Sequence, residues 1–247
     1  MTMVKCEGIK KYFRGRTGIV KALDEVSLEI EKGEVFGLVG ESGCGKTTLG
    51  KIMLGIIRPD SGQVILETKK VQVVFQDPYN SLDPKMRVFE ILAEGLIIKG
   101  ESPGTINNEL AVILDLISLP KSALEKYPHQ FSGGERQRIA IGRAILTKPE
   151  FMVCDEPVSS LDVTIQLQIL NLLKDIQKKL DITCLFISHD LKVIKFICDK
   201  VAVMFRGNIV EKGFVRDIYA SPAHSYTKAL LKAAFYDNIK SNGRKDL

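Results

Sequence analysis

Gly40-Glu41-Ser42-Gly43-Cys44-Gly45-Lys46-Thr47-Thr48 decides how the rest of the chain is read. It fits G-x-x-x-x-G-K-[ST], the pattern of a loop that wraps phosphate. Before it, Val35-Phe36-Gly37-Leu38-Val39 is an apolar run suited to a buried parallel strand. After it, Leu49, Ile52, Met53, Ile56 and Ile57 repeat on one face of a helix, which Arg58-Pro59-Asp60-Ser61-Gly62 is expected to stop. Strand, loop and helix is the context the motif requires. Gly40, Gly43 and Gly45 let the backbone curl so that N–H groups converge on an anion. The helix that starts near Lys46 adds its positive end. Lys46 supplies a mobile charge for the β- and γ-phosphates, and Thr47 offers a hydroxyl to Mg²⁺. Ser42, Cys44 and Thr48 complete the candidate phosphate-binding loop. A plain glycine-rich turn would not need the Lys-Thr pair.

The 247 residues are 45% hydrophobic, enough for one α/β domain with a subdomain. A net charge of +5 does not demand nucleic acid and suits a membrane-protein partner as well. Five cysteines, an odd number with no C-x-x-C, read as reduced buried thiols rather than a disulfide frame or metal cluster. Met1-Thr2-Met3-Val4-Lys5 does not resemble a signal peptide. No apolar run is long enough to span a bilayer, so any membrane role is expected to be peripheral.

Val26, Leu28 and Ile30 alternate with polar residues, a half-buried strand with Val4 to Ile9 as its expected partner. Tyr12 and Phe13 precede a polar stretch; an aromatic there either stacks on a nucleotide base or is simply a half-exposed strand residue. Val64 to Leu66 and Val71 to Phe75 read as two strands, followed by a loop from Gln76. From Val88 to Leu119 the pattern is helical, with Leu110, Ile113, Leu114 and Ile117 on one face and a break at Gly100, Pro103 and Gly104. Ser132-Gly133-Gly134-Glu135 opens another helix, either a second anion-binding N-terminus or an ordinary cap.

Phe151-Met152-Val153-Cys154-Asp155-Glu156 is a buried strand ending in two carboxylates. A carboxylate at that position needs a cation or donors. Beside a phosphate loop, Asp155 is expected to hold Mg²⁺ and Glu156 to orient or deprotonate water. Thr183 to Ile187 is another buried strand, ending at His189, which can reach a γ-phosphate. His129 and His224 are expected in loops without chemistry. Ile165, Ile169, Leu172, Leu173 and Ile176 form the inward face of a long helix, and a helix with Tyr226, Leu230 and Ala233 closes the fold.

Together these pieces resemble the ATP-binding subunit of ABC transporters over roughly Val4 to Phe235. The resemblance makes Gln76 the Q-loop glutamine and a further magnesium ligand, and Phe131-Ser132-Gly133-Gly134-Glu135 the signature motif. It makes Glu156 the catalytic glutamate, Ser159-Ser160-Leu161-Asp162 the D-loop with Ser160 and Asp162 in the site, His189 the switch histidine and Phe13 the base-stacking aromatic, with Tyr12 second. The implied fold is α/β: a P-loop NTPase core with a mainly parallel sheet, an N-terminal antiparallel β subdomain and a helical insertion. The core is expected at 1–76 and 148–236, the helical subdomain at 77–147, and a frayed tail at 237–247.

A narrower resemblance lies in Phe75-Gln76-Asp77-Pro78-Tyr79-Asn80-Ser81-Leu82-Asp83-Pro84, Tyr127-Pro128-His129-Gln130-Phe131-Ser132 and Ser221-Pro222-Ala223-His224-Ser225-Tyr226-Thr227. These look like the oligopeptide, dipeptide and nickel importer group. Glu135 departs from the usual Gln, the segment between Val64 and Phe75 is short, and the chain ends soon after Ala234, which leans toward nickel or metal-chelate members. The resemblance implies head-to-tail ATPase dimers, with each ATP held by the phosphate loop of one subunit and by Ser132, Gly133, Gly134 and Glu135 of the other. It implies transmembrane permease subunits, a second and different ATPase chain, an extracytoplasmic solute-binding protein acting indirectly, and a peripheral place on the cytoplasmic face of the membrane. No nucleic-acid partner is expected. The alternatives are a soluble ABC-type ATPase acting on nucleic acid or ribosomes, which usually carries a coiled-coil arm or two ATPase units, and a P-loop kinase or GTPase, which would not explain Ser132 to Glu135.

Overall fold

The computed structural model describes residues 1–15 and 18–242, with only the backbone considered at 78, 80 and 236–242. It divides into two compact units, one formed by Met1–Glu67 with Thr183–Leu247, the other by Thr68–Ile182.

In chain order the first unit begins with β1 (Thr2–Gly15), β2 (Gly18–Glu31), β3 (Val35–Val39), α1 (Lys46–Met53) and β4 (Ser61–Leu66). The second unit holds β5 (Val71–Val74), α2 (Pro78–Ser81), α3 (Val88–Ile98), α4 (Pro103–Leu116), 3₁₀ turns at Lys121–Glu125 and Pro128–Gln130, α5 (Gly133–Leu146), β6 (Phe151–Asp155) and α6 (Val163–Leu180). The chain then returns to the first unit through β7 (Thr183–Ser188), α7 (Leu191–Ile197), β8 (Lys200–Phe205), β9 (Asn208–Phe214), α8 (Val215–Ala220) and α9 (Ser225–Asn242). Mixed α/β architecture follows, with parallel pairing in both units.

The apolar run before the phosphate loop is β3, and every residue of it is buried. It lies between β7 and β8, parallel to both, with Val39 level with Ser188 and with Val203. Burial on both faces removes the need for alternation, which is why the stretch reads as continuous Val, Phe and Leu. Each such side chain contributes about 1.5–3 kcal/mol when fully buried. β9 pairs antiparallel with β8, closing that edge as a hairpin. β1 pairs antiparallel with both β2 and β4, so the expected pairing of Val4 to Ile9 with the Val26–Ile30 strand is present: Val4 faces Ile30 and Ile9 faces Val26. Alternation in β2 reflects one buried face, with Val26, Leu28 and Ile30 inward.

In the second unit β5 and β6 run parallel, from Val71 opposite Phe151 to Val74 opposite Cys154. Helices α2 to α5 fill the expected helical stretch, and the compact unit holding them also includes β5, β6 and α6. Leu110, Ile113, Leu114 and Ile117 are all buried, as their spacing predicts. All five cysteines are buried. No helix among the described residues is long and apolar enough to cross a membrane.

Several boundaries differ from expectation. Helix α1 stops at Met53, not at Arg58. Gly55 has φ 72°, a left-handed turn that ends the helix although Ile56 and Ile57 keep its apolar spacing; Ile56 is 57% exposed. Pro103 and Gly104 lie in the first turn of α4 rather than in the break, because Ser102 caps that helix by accepting from the Thr105 N–H and proline suits the first helical position. In α6 the buried set is Ile169, Leu170, Leu173 and Ile176, while Ile165 and Leu172 are only half-buried. In α9 Thr227 and Leu231 point inward, and Ala233 does not. The helix runs to Asn242, into the stretch expected to fray; residues 243–247 lie outside the described residues.

Candidate nucleotide site

In the first unit the chain leaves β3 at Gly40 and enters α1 at Lys46. Two glycines are fixed by close approach. A Cβ at Gly40 would lie 2.2 Å from the Met204 carbonyl oxygen. One at Gly45 would lie 2.2 Å from that of Ala22, and Gly45 has φ 111°. Gly43 has φ 81° and open space around it, so its requirement is conformational only. With Gly45 as N-cap, α1 has no side-chain cap and no acidic residue in its first turn. Its positive end is left for an anion.

Lys46 is buried, yet its ammonium is satisfied. Nζ donates to the Gly40 carbonyl at 2.8 Å and to the Glu41 carbonyl at 2.9 Å, with Cys44 Sγ at 3.8 Å. The charge sits inside the curl of the loop on acceptors it can exchange for phosphate oxygens. Burial raises the pKa of the Cys44 thiol, so it remains protonated beside this ammonium. Thr47 and Ser42 are exposed and Thr48 is half-buried. His189 follows β7, whose end is level with that of β3, so it leaves the sheet at the edge where Gly40 begins the loop. It is exposed, and Asp190 caps α7 behind it by accepting from Lys192 N–H at 2.7 Å.

Of the two aromatic candidates, Phe13 is 41% exposed, with Lys11 Nζ 5.6 Å from its ring centre. The Tyr12 hydroxyl is committed, donating to Asp24 Oδ1 at 2.6 Å. Lys21 Nζ lies 5.4 Å from the Tyr12 ring centre, so each ring carries a lysine, and Phe13 is the more exposed of the two.

The second unit carries the remaining candidates. β5 and β6 end level, so Gln76 and the Asp155-Glu156 pair leave the same edge of that strand pair. Gln76 is exposed; Asp155 and Glu156 are half-buried. Glu156 has φ 48°, and its carbonyl accepts from Ser159 N at 3.3 Å and Ser159 Oγ at 3.2 Å. The left-handed residue swings its side chain off the line of β6. His129 lies in the second 3₁₀ turn, stacked on Tyr127.

Ser132 is the N-cap of α5 and forms a capping box with Glu135. Glu135 Oε2 accepts from both Ser132 N and Ser132 Oγ at 2.8 Å, while Ser132 Oγ accepts from Glu135 N at 3.3 Å. These donors, backbone first and then hydroxyl, hold the Glu135 carboxyl below its usual range, with Lys126 and Arg138 adding to the effect. The carboxylate is thus ionised at neutral pH and turned back onto its own cap. Arg138 is itself anchored, donating to the Ile117 carbonyl at 3.0 Å. Gly134 lets α6 approach α5, since a Cβ there would meet Ile165 Cγ2 at 2.5 Å. Asp162 caps α6 by accepting from Ile165 N at 3.0 Å, a structural duty absent from the sequence-based expectation; Ser160 is exposed.

One residue at the loop was missed. The Tyr226 hydroxyl accepts from the Glu41 N–H at 3.2 Å. Its segment stood out in the sequence as a group marker, but nothing in its spacing tied it to a loop so distant in the chain.

A strand, a glycine loop that cages a buried lysine ammonium, and a helix with a bare positive end define a nucleoside-triphosphate-binding protein of the P-loop class. The family model described as ABC transporter matches residues 23–159. A putative peptide import ATP-binding protein of Brucella ovis is 45% identical over 94% of this chain and 78% of its own length. An oligopeptide transport ATP-binding protein, OppF of Bacillus subtilis, is 41% identical over 94% of this chain and 82% of its own. Among solved structures, cbiO1 of Clostridium perfringens, part of an ABC transporter complex, superposes with TM-score 0.80 at 24% identity over 98% of this chain and 99% of that one, a likeness of fold. A dimeric ATP-binding cassette in a post-hydrolysis state with ADP and phosphate gives TM-score 0.77 at 26% identity over 87% of this chain and 99% of that one. The chain belongs to the ABC transporter ATP-binding family, and it is an ATPase.

Proposed function

We propose that this chain drives peptide import through a membrane transporter. The observation that carries the reading is the phosphate loop with its caged Lys46, set in a chain whose relatives are named for peptide import and oligopeptide transport. Those names favour a peptide over nickel as cargo. Helices α4 and α5 are 14 residues each, and no coiled-coil arm of the kind nucleic-acid ATPases carry occurs among the described residues.

In this reading Gly40, Ser42, Gly43, Cys44, Gly45, Lys46, Thr47 and Thr48 hold the phosphates, and Phe13 stacks on the base. Among the described residues no three His, Cys, Asp or Glu side chains form a metal site. That suits Mg²⁺, which binds through one or two protein oxygens, phosphates and water. Asp155, Thr47 and Gln76 are its proposed ligands, and the ion would neutralise phosphate charge. Glu156 is the proposed base for water, and His189 a contact to the γ-phosphate. Ser132, Gly133, Gly134 and Glu135, with Ser160 and Asp162, would face the ATP of a partner ATPase chain in a head-to-tail dimer. Permease subunits would hold the pair at the cytoplasmic face of the membrane. The test is reconstitution in vesicles with permease subunits and a peptide-binding protein. Peptide-stimulated ATP hydrolysis supports the reading; hydrolysis indifferent to peptide and no co-purification with permeases overturn it.

Glu135 bears on the partner. Its ionised carboxylate would stand near a partner's phosphates, and like charges at about 5–10 Å repel by roughly 1–3 kcal/mol at an effective dielectric near 20. Salt at physiological strength reduces this to about 1 kcal/mol, or roughly fivefold in affinity. In a chain carrying Glu156→Gln to prevent turnover, Glu135→Gln removes this repulsion at both sites of a head-to-tail homodimer and is expected to tighten ATP-dependent self-association about 25-fold, roughly fivefold per site, and less at high salt. Sedimentation across a concentration series measures it. Equal, tight homodimers with either residue would remove the case for a different partner chain that rests on this charge.

A further inference from the structure

The Gly40–Glu41 peptide unit at the start of the phosphate loop is held from both ends. Its carbonyl oxygen, on Gly40, accepts from Lys46 Nζ at 2.8 Å. Its N–H, on Glu41, donates to the Tyr226 hydroxyl at 3.2 Å. One end therefore rests on a charge that must serve phosphate, and the other on a neutral group that need not move.

Tyr226 is itself fixed. Its ring lies against Phe205, the last residue of β8, with centroids 4.2 Å apart and planes 34° apart. The backbone N–H of Tyr226 donates to His224 Nδ1 at 3.1 Å. The turn before it is gripped by one carboxylate on β9: Glu211 accepts from Ala223 N at 2.7 Å and from His224 N at 3.0 Å. The same strand pair braces the loop a second time, where Gly207 N donates to the Cys44 carbonyl at 3.0 Å. The segment from Ser221 to Thr227, which the nucleotide-site reading leaves without a role, thus reaches the loop through one hydroxyl.

We propose that Tyr226 is a positioning residue of the ATP site, holding the Gly40–Glu41 peptide in place when Lys46 exchanges its loop carbonyls for phosphate oxygens. Without that hydroxyl, binding must also order the first turn of the loop, and the cost appears in affinity. Chemistry at the γ-phosphate does not involve Tyr226, so turnover at saturating ATP is unaffected. Glu211 acts at one remove by fixing the turn that carries the tyrosine. The inference rests on the phosphate loop being the ATP site.

The test compares the full chain with Tyr226→Phe, which removes the hydroxyl and keeps the ring on Phe205. ATP affinity, read by equilibrium titration, is expected to fall roughly 3–10-fold, the range of one hydrogen bond. KM should rise in parallel while kcat stays within about twofold. The melting temperature without nucleotide should fall by no more than about 4 °C. Glu211→Gln, which leaves one acceptor for the two N–H groups, should weaken ATP binding in the same direction by a smaller factor. Unchanged ATP affinity in Tyr226→Phe overturns the proposal, as does a fall in kcat with KM unchanged. A native chain that binds no ATP overturns the reading of the loop itself; a native chain and Tyr226→Phe that bind ATP equally overturn only the role of Tyr226.

Discussion

Lys46→Ala is expected to abolish measurable ATP binding while leaving a folded protein. Lys46 is the buried cation inside the loop, and it is already stripped of water and held on two carbonyls at 2.8 and 2.9 Å. Moving from those carbonyls to phosphate oxygens exchanges neutral acceptors for charged ones. Hydrogen bonds to charged groups contribute about 1.5–3 kcal/mol each. Contacts to two phosphates then come to roughly 3–6 kcal/mol, a loss of about 10²–10⁴ in affinity on truncation. The substitution also leaves the Gly40 and Glu41 carbonyls without that donor, costing about 1–3 kcal/mol of stability. Calorimetric titration with ATP, alongside a thermal melt, separates the two effects. Near-native affinity in a folded Lys46→Ala protein would refute the assignment of the loop.

The strand–loop–helix unit was legible because its signals are local. A run of buried residues, a glycine pattern and a 3.6-residue period all occur within one stretch. The same locality misplaced the end of α1: Ile56 and Ile57 continue the period, but the left-handed Gly55 overrides it. Ser132 and Glu135 also stand at capping-box spacing, a signal that was available and that predicts the carboxylate's turn back onto the serine. The sequence reading used the charge of Glu135 and left unused the direction that this spacing carries. Tyr226 was beyond such methods, because its partner Glu41 lies 185 residues away and a hydroxyl–backbone contact leaves no periodic trace. Asp162 shows the reverse case, a residue assigned to chemistry by resemblance that also caps α6.

Glu156→Gln is expected to uncouple binding from hydrolysis. The residue sits at φ 48°, an unusual conformation for a side chain that is neither glycine nor asparagine, and it is held there by two hydrogen bonds from Ser159 to its carbonyl. Glutamine has the same length and the same backbone preference, so the strain and the placement carry over. Only the negative charge and its capacity to take a proton from water are lost. General-base catalysis contributes about 10²–10⁴-fold, so hydrolysis should fall by roughly 10²-fold or more. ATP affinity should stay near native, because in the proposed site the loop and Lys46, not Glu156, would hold the phosphates. Single-turnover hydrolysis of bound ATP reads the first effect and equilibrium titration the second. A variant that hydrolyses at the native rate would remove Glu156 from the chemistry. The water-activating group would then have to be sought among His189, Gln76 and the other polar residues that end β5 and β7.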